Sequence, residues 1–175
     1  MKKILIVVDM QNDFVDGALG SKEAVQIVPN VAKKIENFDG DEIIVTFDTH
    51  YDNYMNTLEG QKLPVPHCID GTYGHELNAT IKKALAGKKY KEIFKNGFGS
   101  LAIDRYLKEK YPGEEPEVEI MGLCTDVCVV SNAIIMRAGF PNAKITLDSS
   151  CCAGVTPEAH EAALVTMKSC QIDVI

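Results

Sequence analysis

Residues 3–8 read KILIVV, a nearly continuous aliphatic run that ends at Asp9. Runs rich in β-branched residues and apolar on both faces are typical of a strand buried inside a parallel sheet. The same pattern recurs five more times along the chain, so six strands are expected. They are predicted at Lys3–Val8, Glu42–Phe47, Tyr90–Phe94, Val118–Met121, Lys144–Leu147 and Ile172–Ile175.

Segments with helical spacing separate the predicted strands, and several open with proline or a capping side chain. With right-handed crossovers, this alternation predicts a doubly wound α/β fold, a six-stranded and mainly parallel sheet with helices on both faces. One irregular stretch, residues 48–74, is long for a loop in a compact domain and is expected to be functional. The helices are predicted at Val28–Phe38, His75–Leu85, Leu101–Lys110, Asp126–Ala138 and Pro157–Ser169.

Length and composition indicate one compact domain over residues 1–175, because 46% of the residues are hydrophobic and 25% are charged. A formal net charge of -7, with 18 scattered lysines and arginines, argues against a nucleic-acid partner. The apolar run at residues 3–8 has no cleavage site behind it, and no stretch approaches the roughly 20 apolar residues that span a bilayer. We therefore expect a cytoplasmic protein without a signal peptide or a membrane partner.

The six cysteines are interpreted as reduced thiols, since no export signal is expected. The chain has no Cys-x-x-Cys pair. Cys124 and Cys128 are separated by three residues, which fits neither a zinc knuckle nor a thioredoxin-like motif. That spacing leaves one of them free to be a nucleophile.

Polar residues follow directly after four of the predicted strands. Asp9 follows the first strand, Asp48 the second, Lys95 the third, and residues 122–128 (GLCTDVC) the fourth. In open α/β sheets, ligands bind outside the carboxyl ends of the strands. These residues are therefore the first candidates for a site.

Cys128 is the candidate nucleophile, because the first turn of a helix and a nearby Lys95 would both lower the pKa of its thiol. Asp9 would take the thiol proton and return it to the leaving amine. Alternatively, Cys128 is a buried small hydrophobe, Asp9 a cap and Lys95 a solvated charge. The arrival of all three at one edge of the sheet favours the catalytic interpretation.

A second cluster combines Asp48 and His50 with His67 in the long loop, a set that suits zinc, manganese or iron. By spacing alone, two surface histidines on a loop are an equally good interpretation. Glu59 and Cys68 are further candidate ligands without a spacing argument. Four other residues are expected to be structural: His75 and His160 at the surface or as caps, and Cys151 and Cys152 in packing.

Three segments together resemble one known family. Residues 6–14 (IVVDMQNDF), 95–98 (KNGF) and 122–129 (GLCTDVCV) are similar to those of the isochorismatase-like cysteine hydrolases, and within them the nicotinamidases. The resemblance covers nearly the whole chain in the same order. It excludes the true isochorismatases, which lack the cysteine.

The resemblance implies a catalytic triad of Asp9, Lys95 and Cys128. It also implies a non-proline cis peptide near Leu123 and Cys124, with the backbone N–H groups of Cys124 and Cys128 forming an oxyanion hole. A homo-oligomer is expected from the family alone.

The resemblance carries over to the metal cluster as well. Residues 48–50 (DTH) and 64–68 (PVPHC) match segments that bind a metal holding the pyridine nitrogen, and Glu59 is the nearest candidate for an added carboxylate. Asp48, His50 and His67 are thus the implied ligands of a divalent metal, with zinc as the first expectation.

Two tryptophans that commonly wall the nicotinamidase ring pocket are replaced here by Thr49 and by Leu63 or Pro64. The chain has no tryptophan, and Phe14 is left as the expected pocket wall. The resemblance as a whole implies a metal-assisted cysteine amidohydrolase that converts nicotinamide and water to nicotinate and ammonia. Two alternatives stay open, a related amidohydrolase acting on another small amide or carbamoyl compound, and a non-catalytic metal or redox binding protein.

Overall fold

A computed structural model describes all 175 residues of the chain, which form an α/β structure. The strands are β1 Lys3–Val8, β2 Glu42–Asp48, β3 Lys91–Lys95, β4 Glu117–Leu123, β5 Lys144–Ala153 and β6 Asp173–Val174. The helices are α1 Asn12–Val15, α2 Lys22–Asn37, α3 Leu58–Lys62, α4 Ala79–Leu85, α5 Leu101–Lys110, α6 Val130–Gly139 and α7 Pro157–Ser169.

The six strands form one sheet in the order β3-β2-β1-β4-β5-β6, and every neighbouring pair is parallel. The strand order reverses between β1 and β4, where the chain has built one half of the sheet and begins the other. Such a switch point opens a crevice beyond the carboxyl ends of the two strands. The predicted six-stranded parallel sheet is confirmed, and its switch point places Asp9 beside the turn that follows β4.

Gly122 lets β1 and β4 come together at this crevice. Its φ of 124° lies in a region that L side chains rarely adopt, and an added Cβ would meet the Val8 carbonyl oxygen at 2.1 Å. Only glycine fits such a close approach of two backbones. The end of β4 is thereby held against β1, one residue before the predicted cis peptide.

Helices cover both faces of the sheet, as predicted. On one face α2 packs against α4, and on the other α6 packs against both α5 and α7. Right-handed crossovers account for this division, because the chain winds outward from β1 to β3 and then returns to β4. A core of 45 buried hydrophobic residues fills the space between the layers.

Several element boundaries differ from the prediction. Helix α2 begins at Lys22 instead of Val28, because the Ser21 hydroxyl accepts a hydrogen bond from the Ala24 N–H and caps it. The helix then continues through Pro29, a residue that usually ends or kinks a helix. Strand β5 runs on to Ala153, past the predicted end of the apolar run at Leu147.

The long loop predicted over residues 48–74 contains local structure of its own. It holds α3 and two single 3₁₀ turns, at Tyr54–Asn56 and Tyr73–His75. The predicted helix from His75 is shorter, since α4 starts at Ala79 with Asn78 as its cap. None of the helices combines the length and apolar character that a bilayer-spanning segment requires.

Candidate active site

Asp9, Lys95 and Cys128 lie together at the carboxyl edge of the sheet. The Lys95 ammonium is 2.6 Å from Oδ2 of Asp9 and 3.5 Å from Sγ of Cys128. It also donates to the Gly97 carbonyl at 3.1 Å. All three side chains are buried, so Lys95 is not a solvated charge.

The backbone of Asp9 is in the left-handed region, with φ of 48°. This conformation is uncommon for a residue other than glycine and persists only where its surroundings hold it. Thr46 on the neighbouring strand β2 supplies part of that hold. Its hydroxyl accepts from the Asp9 N–H at 3.2 Å and donates to Oδ1 of Asp9 at 2.6 Å.

Cys128 lies in a π-helical turn, Thr125–Val129, that leads directly into α6. The peptide bond between Leu123 and Cys124 is cis, as the family resemblance implied. The Cys124 N–H makes no hydrogen bond within the chain, while the Cys128 carbonyl accepts one from the Asn132 amide at 2.8 Å. Cys124 and Cys128, whose N–H groups are implied for the oxyanion hole, thus lie just before this turn and within it.

The predicted lowering of the Cys128 thiol pKa is wrong. Burial raises its pKa well above the usual value and the Asp9 carboxylate adds to the rise, so the opposing effect of Lys95 is outweighed. Burial also raises the pKa of Asp9, against the attraction of Lys95. Burial thus favours the protonated form of both groups, while the Lys95 ammonium favours their charged forms.

Asp48, His50, Glu59 and His67 converge on one point, with a ligand atom from each within 4.8 Å of the others. Oδ2 of Asp48 is 3.0 Å from Nε2 of His50 and 3.4 Å from Nε2 of His67. Oε1 of Glu59 is 3.7 Å and 3.6 Å from the same two nitrogens.

This group of four fits a divalent metal ion. Four ligands placed tetrahedrally at zinc distances of about 2.0–2.1 Å lie about 3.4 Å apart, close to the separations found here. Nδ1 of His67 donates to the Val65 carbonyl at 2.8 Å, which leaves Nε2 free as a ligand. Glu59 joins the site, whereas the other candidate, Cys68, lies outside the group.

Gln11, which the sequence reasoning missed, holds the end of β2 in place. Its side-chain oxygen accepts from the Asp48 N–H at 2.8 Å, and its amide donates to the carbonyls of Asp48 at 2.9 Å and His75 at 2.8 Å. Gln11 is fully buried, and its oxygen and amide nitrogen both bond to backbone. Asp13 acts similarly on the long loop, accepting from the Cys68 N–H at 2.8 Å.

Two histidines predicted to be surface or capping residues have other roles. His75 is buried, and its Nε2 lies 2.9 Å from the hydroxyl of Thr49, which itself donates to the Phe47 carbonyl. Nδ1 of His160 lies 2.8 Å from the hydroxyl of Thr125 in the catalytic turn. Both contacts hold segments of the site, and neither histidine reaches the metal cluster. Cys151 and Cys152 are buried in the core, as predicted.

A mostly apolar cavity of about 170 Å³ is lined by residues of both clusters. Cys124 and Cys128 line one end, and Asp48, Glu59 and His67 line the other. Its walls are mainly hydrophobic side chains, and a wider outer chamber of about 670 Å³ shares four of the lining residues. The wall residues are Phe14, Leu19, Leu63, Phe98, Val127 and Val155, of which Phe14 was expected.

The sequence pattern of residues 3–175 matches the family model described as the isochorismatase domain. The chain belongs to the isochorismatase family. The nicotinamidase/pyrazinamidase of Mycobacterium tuberculosis is 27% identical over 191 residues, which cover 99% of this chain and 98% of that protein. Membership in the family confirms the resemblance found in the sequence.

Solved structures of family members superpose over the whole chain. A nicotinamidase/pyrazinamidase from Bacillus subtilis has a TM-score of 0.84 at 28% identity, with 99% of each chain covered. A pyrazinamidase from Pyrococcus horikoshii, solved in complex with zinc, has a TM-score of 0.83 at 27% identity, covering 100% of this chain and 99% of that one. Both structures share the isochorismatase-like fold of this chain, and the zinc in the second one supports a divalent metal at the Asp48–His67 group.

Proposed function

We propose that this protein is a metal-assisted nicotinamidase, which hydrolyses nicotinamide to nicotinate and ammonia. One observation carries the proposal: a single apolar cavity holds the Cys128 thiol at one end and the Asp48–His67 cluster at the other. A flat ring bearing a carboxamide fits between them, with the amide toward Cys128 and the ring nitrogen toward the cluster. The named relatives act on such compounds, which supports the assignment.

The first half of the reaction transfers the acyl group to Cys128. Asp9 takes the thiol proton, and the sulfur attacks the carboxamide carbon, so that a C–S bond forms and the carbonyl electron pair moves to oxygen. The N–H groups of Cys124 and Cys128 would hold this oxyanion. When the C–N bond breaks, the nitrogen takes the proton from Asp9 and leaves as ammonia. Lys95 stays positive throughout and keeps the Asp9 carboxylate oriented.

The second half hydrolyses the thioester. Asp9, again a carboxylate, takes a proton from a water molecule as the water oxygen attacks the thioester carbon. Collapse of the adduct breaks the C–S bond, releases the acid and returns the proton to the sulfur. The same oxyanion hole would serve both halves, and Cys128 ends as the neutral thiol from which it started.

Asp48, His50, Glu59 and His67 are the residues that would hold the metal. A divalent metal held there would supply a Lewis acid that could bind the ring nitrogen and so orient the substrate. Phe14 would face one side of the substrate's ring, since the centroid of the Phe14 ring is 5.4 Å from that of His67. Manganese or iron would suit the same mixed nitrogen and oxygen ligands.

The test is ammonia release from a panel of small amides that includes nicotinamide and pyrazinamide. Metal-supplemented wild type and Cys128→Ala are assayed side by side, and rapid release from nicotinamide by wild type alone is expected. Turnover of a different amide or carbamoyl compound instead would mean that the substrate assignment is wrong and that the assigned reaction type is right. Absence of turnover with every compound would contradict the proposal and favour a binding protein.

Nicotinate production would place the enzyme in pyridine-nucleotide salvage. The homo-oligomer and the cytoplasmic location expected from the sequence stay predictions.

A further inference from the structure

The Thr46 hydroxyl makes two hydrogen bonds, and both of them are to Asp9, the proposed base. Its side chain is fully buried on β2, and it lies 37 positions away from Asp9 in sequence. The hydroxyl donates to Oδ1 of Asp9 at 2.6 Å and accepts from the Asp9 N–H at 3.2 Å. Both the backbone and the carboxylate of Asp9 are therefore fixed by a single side chain.

The direction of these bonds follows from the chemistry of a hydroxyl group. A threonine hydroxyl has one hydrogen to donate. Because the Asp9 N–H already points at the Thr46 oxygen, the hydroxyl hydrogen is directed to Oδ1. Oδ2, the other carboxylate oxygen, faces the Lys95 ammonium at 2.6 Å, and that ammonium is 3.5 Å from the Cys128 sulfur.

The two oxygens of the carboxylate are thus placed in different surroundings. Oδ1 lies against a hydroxyl donor on the sheet, while Oδ2 lies against the Lys95 ammonium, which in turn contacts the Cys128 sulfur. The positive φ of Asp9, 48°, would not be kept by the chain without local bonds. The Thr46 hydroxyl accepts the N–H at this bend and so stabilises it.

We propose that Thr46 is a positioning residue that holds Asp9 so that Oδ2 takes the thiol proton and later returns it. The inference rests on the proposed function, in which Asp9 is the base. Thr46 does not line the cavity, and both hydrogen bonds of its hydroxyl go to Asp9, so its effect on the reaction would pass through Asp9. A purely structural role would instead affect stability and leave the reactivity of the folded protein unchanged.

The first test compares Thr46→Val, which keeps the shape but has no hydroxyl, with Thr46→Ser, which keeps the hydroxyl. In Thr46→Val, kcat is expected to fall about 10- to 100-fold, the size expected for one buried hydrogen bond to a charged group, while KM changes less than about twofold. Thr46→Ser should recover most of the loss. Thr146→Val on β5, which removes a hydroxyl far from the site, should match wild type.

A second measurement does not depend on which amide is the substrate. The rate of Cys128 alkylation by iodoacetamide is followed by tandem mass spectrometry, because this reaction also requires loss of the thiol proton. It should be about tenfold slower in Thr46→Val and close to wild type in Thr46→Ser. An unchanged alkylation rate and kcat in folded Thr46→Val would overturn the inference.

Failure of the proposed function would look different. If wild type leaves nicotinamide intact but the alkylation rates still follow the Thr46 hydroxyl, the substrate is wrong and the positioning role stands. If Thr46→Val does not fold, as judged by circular dichroism, Thr46→Cys takes its place, since a thiol is a weak donor of similar size. The rate of Cys128 alkylation in Thr46→Cys should be lower than in wild type and in Thr46→Ser, and a wild-type rate would again overturn the role.

Discussion

The two ends of the catalytic cavity are built in different ways. At the nucleophile end, Asp9, Lys95 and Cys128 come from the ends of β1 and β3 and from the turn after β4. At the metal end, only Asp48 belongs to a strand, and the other three ligands lie in residues 50–67. The parallel sheet itself assembles the first cluster, whereas the second requires a particular path of the long loop.

The ends also differ in what they contribute. In the proposed reaction the nucleophile end makes and breaks bonds, and the metal end orients the ring. Asp48 joins them, because its Oδ1 is 3.4 Å from Lys95 and its Oδ2 is 3.0 Å from His50. A variant at one end that leaves Asp48 unchanged should leave the function of the other end intact. A variant of Asp48 itself should impair both.

Cys128→Ala should have the largest effect. Loss of the nucleophile is expected to lower kcat by at least about 10⁴-fold, as removal of a covalent catalyst does in other hydrolases. Zinc affinity, measured by competition with a chromogenic chelator, should stay near wild type because the metal end is untouched. Cys170→Ala is the matched control and should keep its activity. Loss of zinc binding in Cys128→Ala would show that the two ends are not independent.

Asp48→Asn should impair both ends. It removes the charge of a ligand to the metal and of a neighbour of Lys95, so we expect at least about a 100-fold loss in zinc affinity. Cys128 alkylation should also change, since Lys95 loses one of its two carboxylate partners. Asp52→Asn, an exposed change in the same loop, is the control. Normal alkylation together with weak zinc binding would mean that Asp48 serves the metal end alone.

Gln11→Leu tests whether Gln11 holds the end of β2, which carries Asp48. It removes three buried hydrogen bonds to backbone groups, which should lower the free energy of unfolding by about 3 kcal/mol. The exposed substitution Gln26→Leu on α2 should cost less than about 0.5 kcal/mol. Urea denaturation of both variants checks this difference. Equal stability of the two would mean that the Asp48 backbone finds other partners.

Glu59→Gln should have the smallest effect. Its carboxylate is the most exposed of the four and lies farthest from the imidazole nitrogens, at 3.6 Å and 3.7 Å. We expect zinc affinity to fall only a few-fold while kcat at saturating zinc stays unchanged. A loss of zinc affinity as large as that of Asp48→Asn would mean that Glu59, in the loop, contributes as much to metal binding as Asp48 on the strand.

The sequence predicted the sheet and its functional edge well, because buried parallel strands carry a clear apolar signal. The six predicted strands overlap the six observed ones. The polar residues that follow the first four lie together at the carboxyl edge of the sheet. The metal end was harder to predict. His67 is 17 positions from His50, so its place depended on the family resemblance and not on spacing.

The supporting residues were missed for a physical reason. Gln11 and Thr46 act through partners 37 or more positions away, and neither residue type carries a signal that identifies such a partner. The pKa of Cys128 was predicted in the wrong direction because sequence reasoning counted the nearby Lys95 and omitted burial and Asp9. How deeply Cys128 is buried depends on the packing of the whole chain and cannot be predicted from the sequence of its turn.

The central claim is that the carboxamide is hydrolysed through a thioester on Cys128. Turnover of nicotinamide in the presence of hydroxylamine tests it most directly, since an acyl-enzyme passes part of its acyl group to this competing nucleophile. We predict nicotinoyl hydroxamate in proportion to hydroxylamine concentration with wild type, and none with Cys128→Ala. Nicotinate formation without any hydroxamate, or hydroxamate from Cys128→Ala at the wild-type rate, would contradict the account.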